Sequence, residues 1–206
     1  MIDKNIYVMR HGRTRWNAEG KLQGRLNSPL LDSGVGTIKA IARYIADQCS
    51  IDKVYCSPLR RSLESAEIVC SVLAVGYEER EELMECDMGM CEGLTWQEAQ
   101  DIYTDFFTRR KREKWTTAWP NGESYLDVYI RAQSFLQWLP CDILNVLIIG
   151  HETFNKCFLG ACMQWSPDEI MSFKQANHDL FVVRSSCKSY EKICFNEMYQ
   201  NKSSGG

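Results

Sequence analysis

IYVMRHGRTRWN, residues 6–17, runs from four residues suited to a buried strand straight into arginine, histidine and glycine. Ile6, Tyr7, Val8 and Met9 are the types that fit a pleated, covered surface. A strand that stops there leaves Arg10 and His11 at its carboxyl end, the edge of an open α/β sheet where ligands bind. A second run, Asn145–Ile149, ends the same way, in Gly150 and His151. If the two strands are neighbours, both imidazoles face one crevice. Arg13 lies two residues beyond His11, and a further strand, Lys53–Cys56, is followed by Arg60 and Arg61. Four guanidiniums near one crevice imply an anion, for which phosphate is the simplest candidate because its oxygens match the planar arginine fork. Neutral imidazole, with an ordinary pKa of about 6.5, is a competent nucleophile there, and neighbouring cations disfavour its protonation.

Outward from these strands the chain alternates strand-like and helix-like segments, which predicts a three-layer α/β/α sandwich with a mostly parallel sheet. Asp32 and Ser33 can cap a helix reaching about Gln48, with Ile38, Ile41, Ala42 and Ile45 at spacings of three and four. Leu59–Leu73 reads as a helix, Tyr77–Leu83 as a third strand, and Trp96–Phe107 and Ser124–Leu139 as helices. Ser124 and Asp127 have capping-box spacing. A helix from Glu152 to about Met163, a short one from Pro167, and a hairpin of Leu180–Arg184 with Tyr190–Phe195 complete the pattern. One domain over residues 1–195 is expected, with a mobile polar tail over 196–206; no internal repeat or linker divides the chain.

With 206 residues, 45% of them apolar, the chain can bury a full core. A net charge of -3 gives no general attraction to nucleic acid or an acidic membrane, so anion binding must come from a local cluster. No run approaches the roughly 20 apolar residues of a membrane span. The ten cysteines include no C-x-x-C pair, and the apolar run Ile6–Met9 is too short for the core of a secretory leader, so none is expected. They read as reduced, mostly buried small hydrophobes in a cytoplasmic chain, and zinc is poorly supported.

The longer pattern Arg10-His11-Gly12-Arg13-Thr14-Arg15-Trp16-Asn17 resembles the signature of the histidine phosphatase superfamily, the phosphoglycerate-mutase-like proteins. Gln23-Gly24 with Asn27–Leu31 and Gly34 is similar to the family's next element. Ser57-Pro58-Leu59-Arg60-Arg61 with Ser65-Ala66 resembles another, and sets the family's arginine on Arg61. Leu83-Met84-Glu85, followed by Gly89 and Glu92-Gly93, places its acid on Glu85, leaving Glu81 and Glu82 as bystanders. Asn121-Gly122-Glu123-Ser124 with Asp127 and Arg131, and Val146–His151, resemble the last elements; Asn177 matches an asparagine before the final strands. The pieces run in family order from residue 6 to about 183.

The resemblance implies a metal-independent, cofactor-free phosphomonoesterase acting on a small phosphorylated metabolite, akin to α-ribazole phosphatase and broad-specificity phosphatases. It implies that His11 takes the phosphoryl group as phosphohistidine and that Arg10, Arg61 and His151 hold its oxygens. Glu85 would serve as acid and then base, and Asn17, Gln23 and Gly24 would complete the pocket, Gly24 by close approach of backbone N–H groups. A phosphoglycerate-type mutase and a non-catalytic phosphate-binding protein are the alternatives. His178 has no matching role. Glu152 stands where relatives commonly have a small residue, and brings a carboxylate that can pair with an arginine or restrict which esters fit. The run Arg109–Lys114 reads as a solvated helix face or a basic lid, and Phe106, Phe107, Trp115 and Trp119 as cleft lining or packing beneath it.

Overall fold

Ile6 and Val8 point to one side of the first strand, Tyr7 and Met9 to the other, and all four are buried. A strand covered on both faces has to sit inside a sheet with helices above and below. The computed structural model describes residues 4–184 and 188–195; the tail from Asn196 lies outside the described residues. In chain order the elements are β1 (Asn5–Arg10), α1 (Arg15–Glu19), α2 (Asp32–Gln48), β2 (Lys53–Cys56), α3 (Arg60–Leu73) and β3 (Tyr77–Glu79). After two single 3-10 turns come α4 (Trp96–Ile102), α5 (Thr104–Arg112), α6 (Tyr125–Trp138), β4 (Asn145–Gly150), α7 (Glu152–Met163), α8 (Pro167–Ser172), β5 (Asp179–Arg184) and β6 (Ser189–Cys194).

The strands form one sheet in the order β3-β2-β4-β1-β5-β6. The pairs among β1 to β4 are parallel, and only β5 runs against the rest. One face packs on α2 and α3, where Ile38, Ile41, Ala42, Ile45, Ala66 and Val69 meet Tyr7, Met9, Leu147 and Ile149. Each fully buried isoleucine there contributes about 1.5–3 kcal/mol. The other face packs on α6 and α7, where Val128, Phe135, Phe154 and Phe158 meet Ile6, Val8 and Ile148. The three-layer sandwich is thus observed.

Several boundaries differ from expectation for local reasons. The helix α2 begins after Leu31 without a side-chain cap, and Asp32 sits in its first turn, where its charge suits the helix dipole. The helix expected over 96–107 is broken at Tyr103, whose φ of -113° and ψ of 44° are not helical. The third strand ends at Glu79 because the next residues coil into a 3-10 turn over Glu81–Leu83 that buries Leu83 completely. The short α1 was not expected; Thr14 and Asn17 close a reciprocal capping box that starts it. Ser124 and Asp127 do the same for α6. Nine described cysteines are free; four are buried, three half-buried, and Cys141 and Cys194 exposed. No helix among the described residues is long and apolar enough to cross a membrane.

Candidate active site

The strands β1 and β4 are hydrogen-bonded neighbours in parallel register, Arg10 opposite Gly150. His11 and His151 therefore leave the sheet side by side, with ring centroids 5.0 Å apart. Both are buried, at 1% and 0% exposure. Two contacts give His11 the same tautomer. Its Nδ1 lies 2.8 Å from the Gly12 carbonyl, which can only accept, so Nδ1 carries the proton. Its Nε2 accepts the Nε–H of Arg61 at 3.2 Å, so Nε2 is the unprotonated nitrogen that carries the lone pair. The loop after His11 is tied down by Gly12 N–H to Ser65 Oγ at 3.1 Å and by the Asn177 amide to the His11 carbonyl at 2.8 Å.

Arg61 enters from the first turn of α3 and is almost wholly buried. Its Nη1 donates to the Leu26 carbonyl at 2.8 Å and its Nη2 to the Gly24 carbonyl at 2.7 Å, which aims Nε at His11. Burial pushes its pKa down to about 10. Gly24 thus contributes its carbonyl, where an N–H approach was expected. Glycine is required there because φ is +47° and a Cβ would lie 1.9 Å from Glu92 Oε1.

Glu85 is buried, and its carboxylate accepts N–H groups from Cys86 at 2.8 Å and from Thr153, in the first turn of α7, at 3.2 Å. Arg10 pairs with Glu152 at 2.9 Å and donates to the Gln175 carbonyl at 3.1 Å. Glu152 therefore does pair with an arginine, and Lys156, one turn on, approaches it at 3.6 Å.

These groups surround a cleft of about 240 Å³ lined by Arg10, His11, Asn17, Gln23, Gly24, Arg61, Glu85 and Glu152, among others. Asn17 and Gln23 are only partly free to meet a ligand: Asn17 Oδ1 accepts from Thr14 N–H at 3.1 Å, and the Gln23 amide donates to Thr14 Oγ1. His151 lies behind His11 and is not among the lining residues. Two of the four expected guanidiniums, those of Arg13 and Arg60, point away to solvent, and Arg60 pairs with Glu64 instead. In their place come Lys21, Arg110, Lys114 and Lys156, so six cations face two carboxylates in a chain of net charge -3.

The run 109–114 is therefore neither a plain solvated face nor simply a lid. Arg109, Lys111 and Arg112 are exposed, whereas Arg110 is buried and Lys114 half-buried at the cleft. Around the Tyr125 ring gather Arg110 at 5.3 Å, Lys114 at 5.4 Å and Lys156 at 5.7 Å. Burial and repulsion by Lys156 and Arg110 hold the Lys114 pKa below its usual value. Trp119 lines the cleft while Phe106 and Phe107 pack beneath it. The signal missed for Lys156 was a lysine inside the buried run Thr153–Leu159, where a charge without a purpose is costly.

Burial first, then Arg61 among their cationic neighbours, holds both histidines well below pKa 6.5. The unfolded chain therefore binds protons that the folded chain refuses. Stability is full above pH 6.5 and falls as the pH drops below it, by up to about 1.4 kcal/mol per pH unit for each histidine. Urea unfolding at pH 7.5 and pH 5.5 checks this; equal stability at both would contradict it.

Comparison with known proteins gives a consistent picture. Residues 6–197 match the profile of the Histidine phosphatase superfamily (branch 1). The chain is 34% identical over 197 residues to human 6-phosphofructo-2-kinase/fructose-2,6-bisphosphatase 1, covering 94% of this chain and 40% of that protein. It is 33% identical, with the same coverage, to the rat isoform 4. The chain thus spans about two fifths of the length of these relatives. Among solved structures, the α-ribazole phosphatase of Shigella flexneri superposes with a TM-score of 0.83 at 20% identity, over 94% of this chain and 96% of that one. A mycobacterial glucosyl-3-phosphoglycerate phosphatase gives 0.79 at 20%, over 94% and 98%. These two are likenesses of fold.

Proposed function

We propose, for a chain that belongs to the histidine phosphatase superfamily, that it hydrolyses a phosphomonoester carrying a second anionic group, through a phosphohistidine on His11. The observation that carries this reading is the Nε2 lone pair of a neutral, buried His11, with Arg61 against it and Arg10 and Glu85 lining the same cleft.

In the first step Nε2 attacks phosphorus, the ester P–O bond breaks, and Glu85 gives a proton to the leaving oxygen. In the second, Glu85 takes a proton from water, which displaces the phosphoryl group and releases inorganic phosphate and free His11. Arg10 and Arg61 meet the charge that builds on the phosphoryl oxygens, a contribution of a few kcal/mol per donor. His151, neutral and packed against His11, supports that ring. These residues supply every proton transfer and charge contact the two steps require, so neither step calls for a metal ion.

The second anionic group is supported by the cations around Tyr125, which repel one another until an anion sits among them. Relatives named fructose-2,6-bisphosphatases at 34% identity make a sugar bisphosphate the first class to try. The test is a panel in chelator: fructose 2,6-bisphosphate, α-ribazole phosphate, phosphoserine, phosphoglycerates and p-nitrophenyl phosphate. Release of free phosphate is expected throughout, with kcat/KM highest for an ester bearing a second anion. Lys114→Ala should raise KM for that ester by about 10–100-fold, the value of one charge-assisted hydrogen bond, and leave p-nitrophenyl phosphate unchanged. Isomerisation of phosphoglycerate without phosphate release, or an equal Lys114→Ala effect on both esters, would refute the proposal.

A further inference from the structure

The strand pair at the free edge of the sheet carries chemistry that the phosphate cleft does not use. Asp179, first residue of β5, stands directly opposite Cys194, last residue of β6. Opposed residues of an antiparallel pair share one face. His178 precedes Asp179, and its carbonyl accepts the Phe195 N–H at 2.8 Å, which fixes it beside the same corner. The ligand atoms of His178, Asp179 and Cys194 lie within 4.8 Å of one another.

Asp179 is 1% exposed. Its Oδ2 accepts from the Ala176 N–H at 2.8 Å and pairs with Lys192 at 3.0 Å. Its Oδ1 is buried with no hydrogen-bond partner among the described residues, and His178 Nε2 stands 4.0 Å away. Buried carboxylate oxygens are nearly always satisfied, so this one is a built acceptor awaiting a cation.

We propose that His178 Nε2, Asp179 Oδ1 and Cys194 Sγ form a site for a divalent transition ion of borderline softness, zinc foremost, with solvent completing a tetrahedron. One imidazole, one carboxylate and one thiolate make a donor set that zinc accepts and that hard ions such as magnesium do not favour. A tetrahedral zinc shell needs ligand atoms about 3.3–3.8 Å apart, so closure requires a shift of about 1 Å. Half-exposed His178 and exposed Cys194 can make it by side-chain rotation, while buried Asp179 stays as the anchor. Binding releases the Cys194 thiol proton to solvent, and the thiolate formed offsets the charge that Lys192 adds nearby. The site stands on the turn whose Asn177 holds the His11 carbonyl, but none of its three ligands lines the cleft.

The test is titration of the reduced full chain with Co²⁺, whose tetrahedral thiolate complexes show a charge-transfer band. One Co²⁺ per chain with that band, displaced by Zn²⁺, is expected. Cys194→Ser should remove the band, and His178→Ala should weaken Co²⁺ binding by at least about tenfold, the least effect seen even for outer-shell partners. Both side chains are solvent-accessible, and unchanged thermal unfolding of the metal-free variants checks that they fold. A thiolate band that survives Cys194→Ser, binding untouched by His178→Ala, or no band in the parent chain would overturn the site.

Discussion

His11→Ala is expected to lower kcat by about 10⁴–10⁶-fold, the scale of losing a nucleophile, while the fold survives. The substitution removes the bond to the Gly12 carbonyl and frees the Arg61 Nε–H, yet Arg61 remains held by the Leu26 and Gly24 carbonyls. Removing a buried imidazole that resists protonation should also flatten the acid-side loss of stability, since one of the two groups responsible is gone. A rapid-quench reaction with labelled substrate should trap acid-labile phosphate on the parent chain and none on the variant. Undiminished turnover by the variant would remove the covalent route altogether.

Glu85→Gln should lower kcat by about 10²–10⁴-fold for an alkyl phosphate, the usual contribution of a positioned acid–base group. The amide is close in size and shape, and its oxygen can still accept the Cys86 and Thr153 N–H groups, so thermal stability should change little. The loss should shrink sharply for p-nitrophenyl phosphate, whose leaving group departs without a proton. An equal loss for both esters would mean that Glu85 only supports the cleft, through its grip on the start of α7, and would leave leaving-group protonation to another residue.

How far a residue could be read depended on the distance over which its role is set. The strand before His11 and the strand before His151 are local patterns, and their shared address followed once the sheet was taken as parallel. The capping box of Ser124 and Asp127 was equally local. The break at Tyr103 and the early end of β3 were not, because they follow from what Leu83 and the aromatic residues around Trp119 must bury. Of the arginines, Arg10 and Arg61 lie where the spacing put them. Arg13 and Arg60, close to them in sequence and identical in chemistry, face solvent, because neighbouring residues at a strand end or helix start point in different directions.

The amino-acid sequence by itself determined the layered α/β architecture, the family to which the chain belongs and the identity of His11, Arg61, Glu85 and His151 as candidates. Periodicity and motif order are properties of the chain, readable without knowing what touches what. Only the tertiary structure decided that Nε2 is the unprotonated nitrogen of His11, that Gly24 serves through its carbonyl, and that Arg110, Lys114 and Lys156 gather around Tyr125. Charge accumulates where separate elements converge, and a net charge of -3 conceals a cleft whose cations outnumber its carboxylates threefold.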